Sequence, residues 1–182
     1  MTFLVQQTLI YAVPLMIVAL AGVFAERSGI INLALEGIMI FGAFIGVLFV
    51  RTMQGSEVFT AAAAAGDYAT LQGLELMAMV VAALMGAIFS LLLSFASINL
   101  RADQTIGGTA LNQFAPAFAV VMTWAIQGQG LTTIFIPNWV RITRETFGLA
   151  PVDGPSFWNN LIFKYFYLTT PVAIVLFIAA YI

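Results

Sequence analysis

The sequence predicts an all-α membrane protein, a polytopic bundle of about five transmembrane helices carrying broken-helix elements. Three observations lead there. Of 182 residues, 62% are apolar and 8% are charged, whereas a soluble domain carries about 25% charged residues. The mean hydropathy is +1.04, so a globule of this chain could not be clad in charge. Apolar runs also recur at the length a bilayer demands, about 20 residues for a hydrocarbon core of about 30 Å. The chain reads as one transmembrane region over 1–182.

The predicted spans are 4–24, 30–50, 74–98, 106–126 and 161–182. The first contains Ala19-Leu20-Ala21, the small-x-small form of a signal-peptide cleavage site. No Lys or Arg precedes it and further spans follow at once, so a retained helix is expected. A short polar link at 25–29 leads to the second span, where Gly42 and Gly46 form a small-xxx-small pair. The loop at 51–73 holds an alanine run, Ala61–Ala65, too short to cross and read as a loop helix. The third span carries Gly86, Ser90, Ser94 and Ser97 at helical spacing. Small residues on such faces let helix backbones approach, so both sets are assigned to packing.

A short link at 99–105 precedes the fourth span, in which Pro116 removes a backbone donor and invites a kink. A long loop, 127–160, precedes the fifth, whose start offers an aromatic belt of Trp158, Tyr165 and Tyr167 with Lys164 able to snorkel. That span stops in apolar sequence with no polar flank, which predicts that the chain is the N-terminal portion of a longer one. The short links hold Arg27 and Arg101 and the long loops Arg51, Arg141, Arg144 and Lys164; count favours the long loops inside and density the short links, so the positive-inside rule barely discriminates. The Trp-, Pro- and Gly-rich long loops favour an external N-terminus and an internal C-terminal end.

Composition also closes off chemistry. Cysteine and histidine are absent, which removes disulfides, thiol nucleophiles, imidazole bases and the usual zinc sets. No cofactor or metal is expected. Six Lys and Arg are scattered singly, with a formal charge of −2, and no basic patch points to nucleic acid. A membrane-embedded enzyme would have to work with a carboxylate pair, for which Glu36 and Asp103 are the candidates near spans.

Polar groups concentrate in two passages. The first, Glu26-Arg27-Ser28-Gly29-Ile30-Ile31-Asn32-Leu33-Ala34-Leu35-Glu36-Gly37, lies between apolar segments. An ionisable side chain at the bilayer centre costs about 2.5–3.5 kcal/mol on insertion scales and tends to face protein or a watery path. Asn32 and Glu36, four apart, share a helical face. If the second helix starts near Ile30, Glu36 lies about 9 Å into it. One reading makes this a broken helix lining a route for polar solutes. The other makes it a helix cap, with Glu36 paired to Arg27 or to an adjacent span.

The second passage runs Asn99-Leu100-Arg101-Ala102-Asp103-Gln104-Thr105-Ile106-Gly107-Gly108-Thr109-Ala110-Leu111-Asn112. Thr105, Thr109, Asn112 and Pro116 fall on one stripe of a helix, bordered by Gln113. Such a stripe reads as the wall of a wet path, or as interhelical hydrogen-bond glue. The two passages form a weak internal pair: a short link with Arg and an acid, then a helix opening on Gly and carrying Asn.

The run Gly22-Val23-Phe24-Ala25-Glu26-Arg27-Ser28-Gly29-Ile30-Ile31-Asn32-Leu33-Ala34-Leu35-Glu36-Gly37-Ile38-Met39 closely resembles the first signature of bacterial ABC-importer permeases of the branched-chain amino acid, ribose and galactoside superfamily. Its E-R-S-G-x-x-N-x-x-x-E-G-x-M form, with the passage from Leu100 to Asn112, resembles the nucleoside and simple-sugar branch. The resemblance runs along essentially the whole chain. It implies a multi-pass subunit of the bacterial inner membrane, paired with a second permease. Two cytoplasmic ATP-binding subunits would drive it, and an external substrate-binding lipoprotein would deliver nucleosides or sugars. It places the first motif, with Asn32 and Glu36, and Asn112 along the pathway, to which the helical stripe adds Thr105, Thr109 and Gln113. Glu26, Arg27, Ser28, Gly29, Gly37, Arg101, Asp103, Gln104, Gly107 and Gly108 fall in the motifs that break the helices. The coupling segment and later spans of such permeases do not occur in this chain, nor does a Walker-type phosphate loop, which agrees with ATP hydrolysis elsewhere. A branched-chain amino acid permease subunit and a non-transporting accessory subunit are the alternatives.

Overall fold

The computed structural model describes residues 2–128, 130–136 and 178. Its helices are α1 (Thr2–Arg27), α2 (Leu35–Gln54), α3 (Glu57–Ala65), α4 (Tyr68–Ile98) and α5 (Gln104–Gln127). The chain forms two compact units, one of Met1–Val23 with Arg141–Ile182 and the other of Phe24–Val140. In the first, α1 covers the predicted span 4–24 and keeps Pro14 inside the helix. Apart from Ile178, which is helical, the predicted span 161–182 lies outside the described residues, as do Trp158, Lys164, Tyr165, Tyr167 and Pro171.

The second unit is built on α2, α4 and α5, each long and apolar enough to cross a membrane. They correspond to the second, third and fourth predicted spans. At 1.5 Å per residue α4 is about 46 Å long, so it tilts within the bilayer or projects beyond it. The loop helix of the sequence reading is present as α3. Ser56 caps it by accepting from the Phe59 N–H at 3.3 Å, and Gly66 closes it in the left-handed region at φ 68°. Asp67 then caps α4, taking the Thr70 hydroxyl at 2.6 Å and the Thr70 N–H at 3.3 Å. Those bonds, the hydroxyl's first, hold the Asp67 carboxyl below the usual carboxylate range.

Of the assigned packing residues, the three glycines meet as expected. Gly42 faces Ala82 and Gly86, while Gly46 faces Ala78 and Ala82, so α2 and α4 run antiparallel through a seam of small residues. A Cβ on Gly42 would lie 2.8 Å from the Ala82 carbonyl oxygen, and one on Gly46 would lie 2.9 Å from the Ala82 Cβ. In a bilayer such close backbone approach supplies the dispersion contacts that hydrophobic burial cannot. Phenylalanines tie α5 to the pair. Phe41 stacks on Phe89 at 4.4 Å and meets Phe118 at 5.5 Å, while Phe44 meets the edge of Phe118 at 6.1 Å. Phe44, Phe89 and Leu93 are buried, whereas Leu84, Ile88 and Leu91 on α4 are exposed. That division leaves an apolar outer face for lipid.

Replacing Gly42 by Leu should destabilise the protein by about 1–3 kcal/mol, the usual range for overpacking, because the obstacle is backbone. Gly73 on α4 has nothing within 4 Å of its Cβ position. Gly73→Ala should therefore stabilise by about 0.5–1 kcal/mol. Reversible unfolding of the full-length protein in mixed micelles checks both signs.

Candidate functional site

The site grows from the end of α1. Gly29 adopts φ 80°. The Ile30 N–H donates to the Ala25 carbonyl at 3.2 Å and the Gly29 N–H to the Glu26 carbonyl at 3.0 Å, the paired bonds of a Schellman termination. An L side chain at Gly29 would be strained in that conformation. The Ser28 hydroxyl donates to the Ala25 carbonyl at 2.6 Å. Residues 30–34 are then non-helical and α2 begins at Leu35. The expected start near Ile30 is thus corrected: Glu36 sits in the first turn of α2, not 9 Å into it.

A helix break leaves backbone donors and acceptors without their i→i−4 partners, and buried groups of that kind must find others. Here they find side chains. Asn32 Oδ1 accepts from the Ala34 N–H at 3.0 Å, a local turn that competes with helix. Gln104 Oε1 accepts from the Ile31 N–H at 3.0 Å. Asn112 serves two groups at once. Its Oδ1 accepts from the Gly37 N–H at 2.6 Å, and its Nδ2 donates to the Leu33 carbonyl at 2.5 Å. Ala34, at the N-cap of α2, makes no side-chain cap bond, and Gly37 is the third residue of the helix. That N–H is one a capping side chain ordinarily satisfies. α5 supplies the cap from across the interface.

Gln104, Gly108 and Asn112 are spaced four apart on α5 and share a face. Gly108 is the gap between the two amides: a Cβ there would lie 3.0 Å from the Leu33 Cβ and 3.1 Å from the Ala34 nitrogen. On the opposite wall, a Cβ on Gly37 would lie 2.7 Å from the Leu111 carbonyl oxygen and 3.0 Å from Asn112 Oδ1. Gly37 and Gly108 therefore set the distance at which the amides reach. Gly107 faces Leu93 of α4.

Asp103 starts α5 by accepting from the Thr105 N–H at 2.7 Å and the Ile106 N–H at 3.2 Å. These bonds, Ile106's first, hold its carboxyl below the usual range. The preceding link holds Arg101 in the left-handed region at φ 51°, exposed like Glu26, Arg27 and Glu36. Among the described residues Glu36 has no ion-pair partner, so the pairing with Arg27 is not formed.

The predicted stripe on α5 divides. Thr105, Thr109 and Gln113 stay on an exposed face, where with Ile106 and Ala110 they border an open concavity of about 320 Å³. The Thr109 hydroxyl donates to the Thr105 carbonyl at 2.6 Å. Asn112 leaves that face for the break. Pro116 lies inside α5 and offers no N–H to the Asn112 carbonyl. The sequence reading also passed over Glu75 on α4. It is half-buried, and its Oε2 is enclosed without a hydrogen-bond partner among the described residues.

The family model described as "Branched-chain amino acid transport system / permease component" matches residues 4–182. The chain belongs to that family. Within this permease family, it is 37% identical over 176 residues, 97% of its length, to the guanosine ABC transporter permease protein NupQ of Bacillus subtilis, of which that match covers 50%. It is 39% identical over 131 residues, 72% of its length, to the nucleoside ABC transporter permease protein NupC of Lactococcus lactis, covering 37% of that protein. An uncharacterized protein of Mycoplasma genitalium is 28% identical over 128 residues, 70% of the chain and 37% of that protein. The chain thus spans about half the length, or less, of the relatives it matches. No solved structure matches it.

Asn112→Ala should raise amide hydrogen exchange at residues 31–37 and cost about 1–2 kcal/mol, the upper range for hydrogen bonds in membranes. Asn112→Asp, which when ionised sets a charge against the Leu33 carbonyl, should cost at least as much. A depressed native carboxyl stabilises above its unfolded value of about 3.9 and loses that contribution as pH falls through the native value. Asp103→Asn should therefore flatten the acid limb of the stability profile.

Proposed function

We propose that this chain forms part of the transmembrane permease subunit of an ATP-driven importer, contributing to the translocation pathway for nucleosides or related sugars. The observation that carries the reading is the 97% coverage of the chain by its match to a permease named for guanosine transport, a match that takes in the break and its clamp. The whole of 1–182 contributes to one transmembrane region of that subunit. Its partners are cytoplasmic ATP-binding subunits that hydrolyse the ATP, a second permease subunit and an external substrate-binding lipoprotein. The assembly sits in the bacterial inner membrane.

In this reading the route runs past the break. Asn32, Glu36, Thr105, Thr109 and Gln113 offer a neutral polyhydroxylated solute a succession of donors and acceptors as it sheds water. Asn112 works from behind that wall by fixing where α2 begins, and so where Glu36 is held. Polar groups beside half-helix ends are the usual means by which transporters handle polar cargo at depth.

Labelled guanosine uptake by importer-deficient cells carrying the full-length gene with its partner subunits tests the proposal. Uptake should require ATP and resist competition by leucine. Glu36→Gln should reduce it about tenfold or more, equivalent to about 1.4 kcal/mol, at unchanged membrane level. Leucine-competed uptake would favour a branched-chain amino acid substrate. Unchanged uptake in the variant would remove Glu36 from the route.

A further inference from the structure

We infer that the turn after α5, with residues 130–136, is an anchor seated in the headgroup–acyl boundary of the bilayer rather than a loop in water. Gly128 and Gly130 take φ 102° and 93°, bending the chain back at the helix end. The Gln127 side-chain Nε2 donates to the Thr133 carbonyl at 3.2 Å, which holds the turn against that end. Its largest exposed side chains are apolar, Phe135 at 83% and Leu131 at 51%, with the small hydroxyls of Thr132 and Thr133 exposed beside them.

Three features choose lipid as the occupant. From Gln104 to Val140 the sequence contains no Asp, Glu, Lys or Arg, so no charge of its own pulls the turn into water or pairs it with a charged partner. At 1.5 Å per residue α5 is about 36 Å long. It therefore covers a core of about 30 Å and delivers its last turn to the interface. Phe114, Val121 and Trp124 are also exposed in succession along α5, so apolar surface leads up to the turn. Phe and Leu on a segment lying in the interface bury their apolar side chains at the acyl boundary. Apolar surface placed there lies about 5–10 Å below the headgroups.

A nitroxide attached at Phe135→Cys tests this in the full-length protein, with other cysteines replaced, reconstituted in phosphatidylcholine vesicles. Collisional relaxation by oxygen, which concentrates in the bilayer, should exceed relaxation by a water-soluble nickel chelate. The two should place the label just below the headgroups. Relaxation dominated by nickel would put the turn in water and overturn the inference. Protection from both agents would mean that protein covers it, with the same consequence. Leu131→Cys gives an independent reading of the same turn should the first variant not fold.

Discussion

The described bundle depends on one constraint: a chain that stops being helical inside a membrane protein must still satisfy its backbone. Between the end of α1 and the first turn of α2, the N–H groups of Ile31, Ala34 and Gly37 and the carbonyl of Leu33 have partners only because Gln104, Asn32 and Asn112 supply them. Non-helical backbone is tolerated at membrane depth only where protein or water takes its hydrogen bonds. The amides do this without charge, and the space left by Gly37 and Gly108 lets them reach. The α2–α4 glycine seam and the phenylalanine cluster then hold α5 in register with the break.

This constraint separates two roles that a polar stripe on a helix merges. Asn112 is committed to backbone groups on α2, so its amide is a positioning device. Thr105, Thr109 and Gln113 have no such commitment to the break and remain on the open side. Glu36 is exposed in the first turn of α2. The wall of the proposed route and its support are thus successive layers of the same short passage of sequence.

Much of the architecture was legible because it is local. Long apolar runs announce their own helices, and the small-residue faces at Gly42, Gly46 and Gly86 announced their packing. Ser56 and Asp67, by contrast, fix the ends of α3 and α4 through caps that apolar length alone does not register, which is why the loop read as 51–73 narrows. The start of α2 was misplaced for a deeper reason. Ile31 and Leu33 are as apolar as any helical residue, and they are bonded outside the helix to residues more than seventy positions away. Periodicity cannot see that. The available signal was the coincidence of a Gly-bearing break with two amides four residues either side of Gly108.

The central claim is that Asn112 faces the break while its neighbours face an aqueous route. Single cysteines at positions 109, 112 and 113 of the full-length protein, challenged with a membrane-impermeant maleimide, test it most directly. The account predicts rapid labelling at 109 and 113 and slow labelling at 112. Fast modification at 112 with protection at the other two would contradict it, because the amide would then line the path and the break would lack its cap.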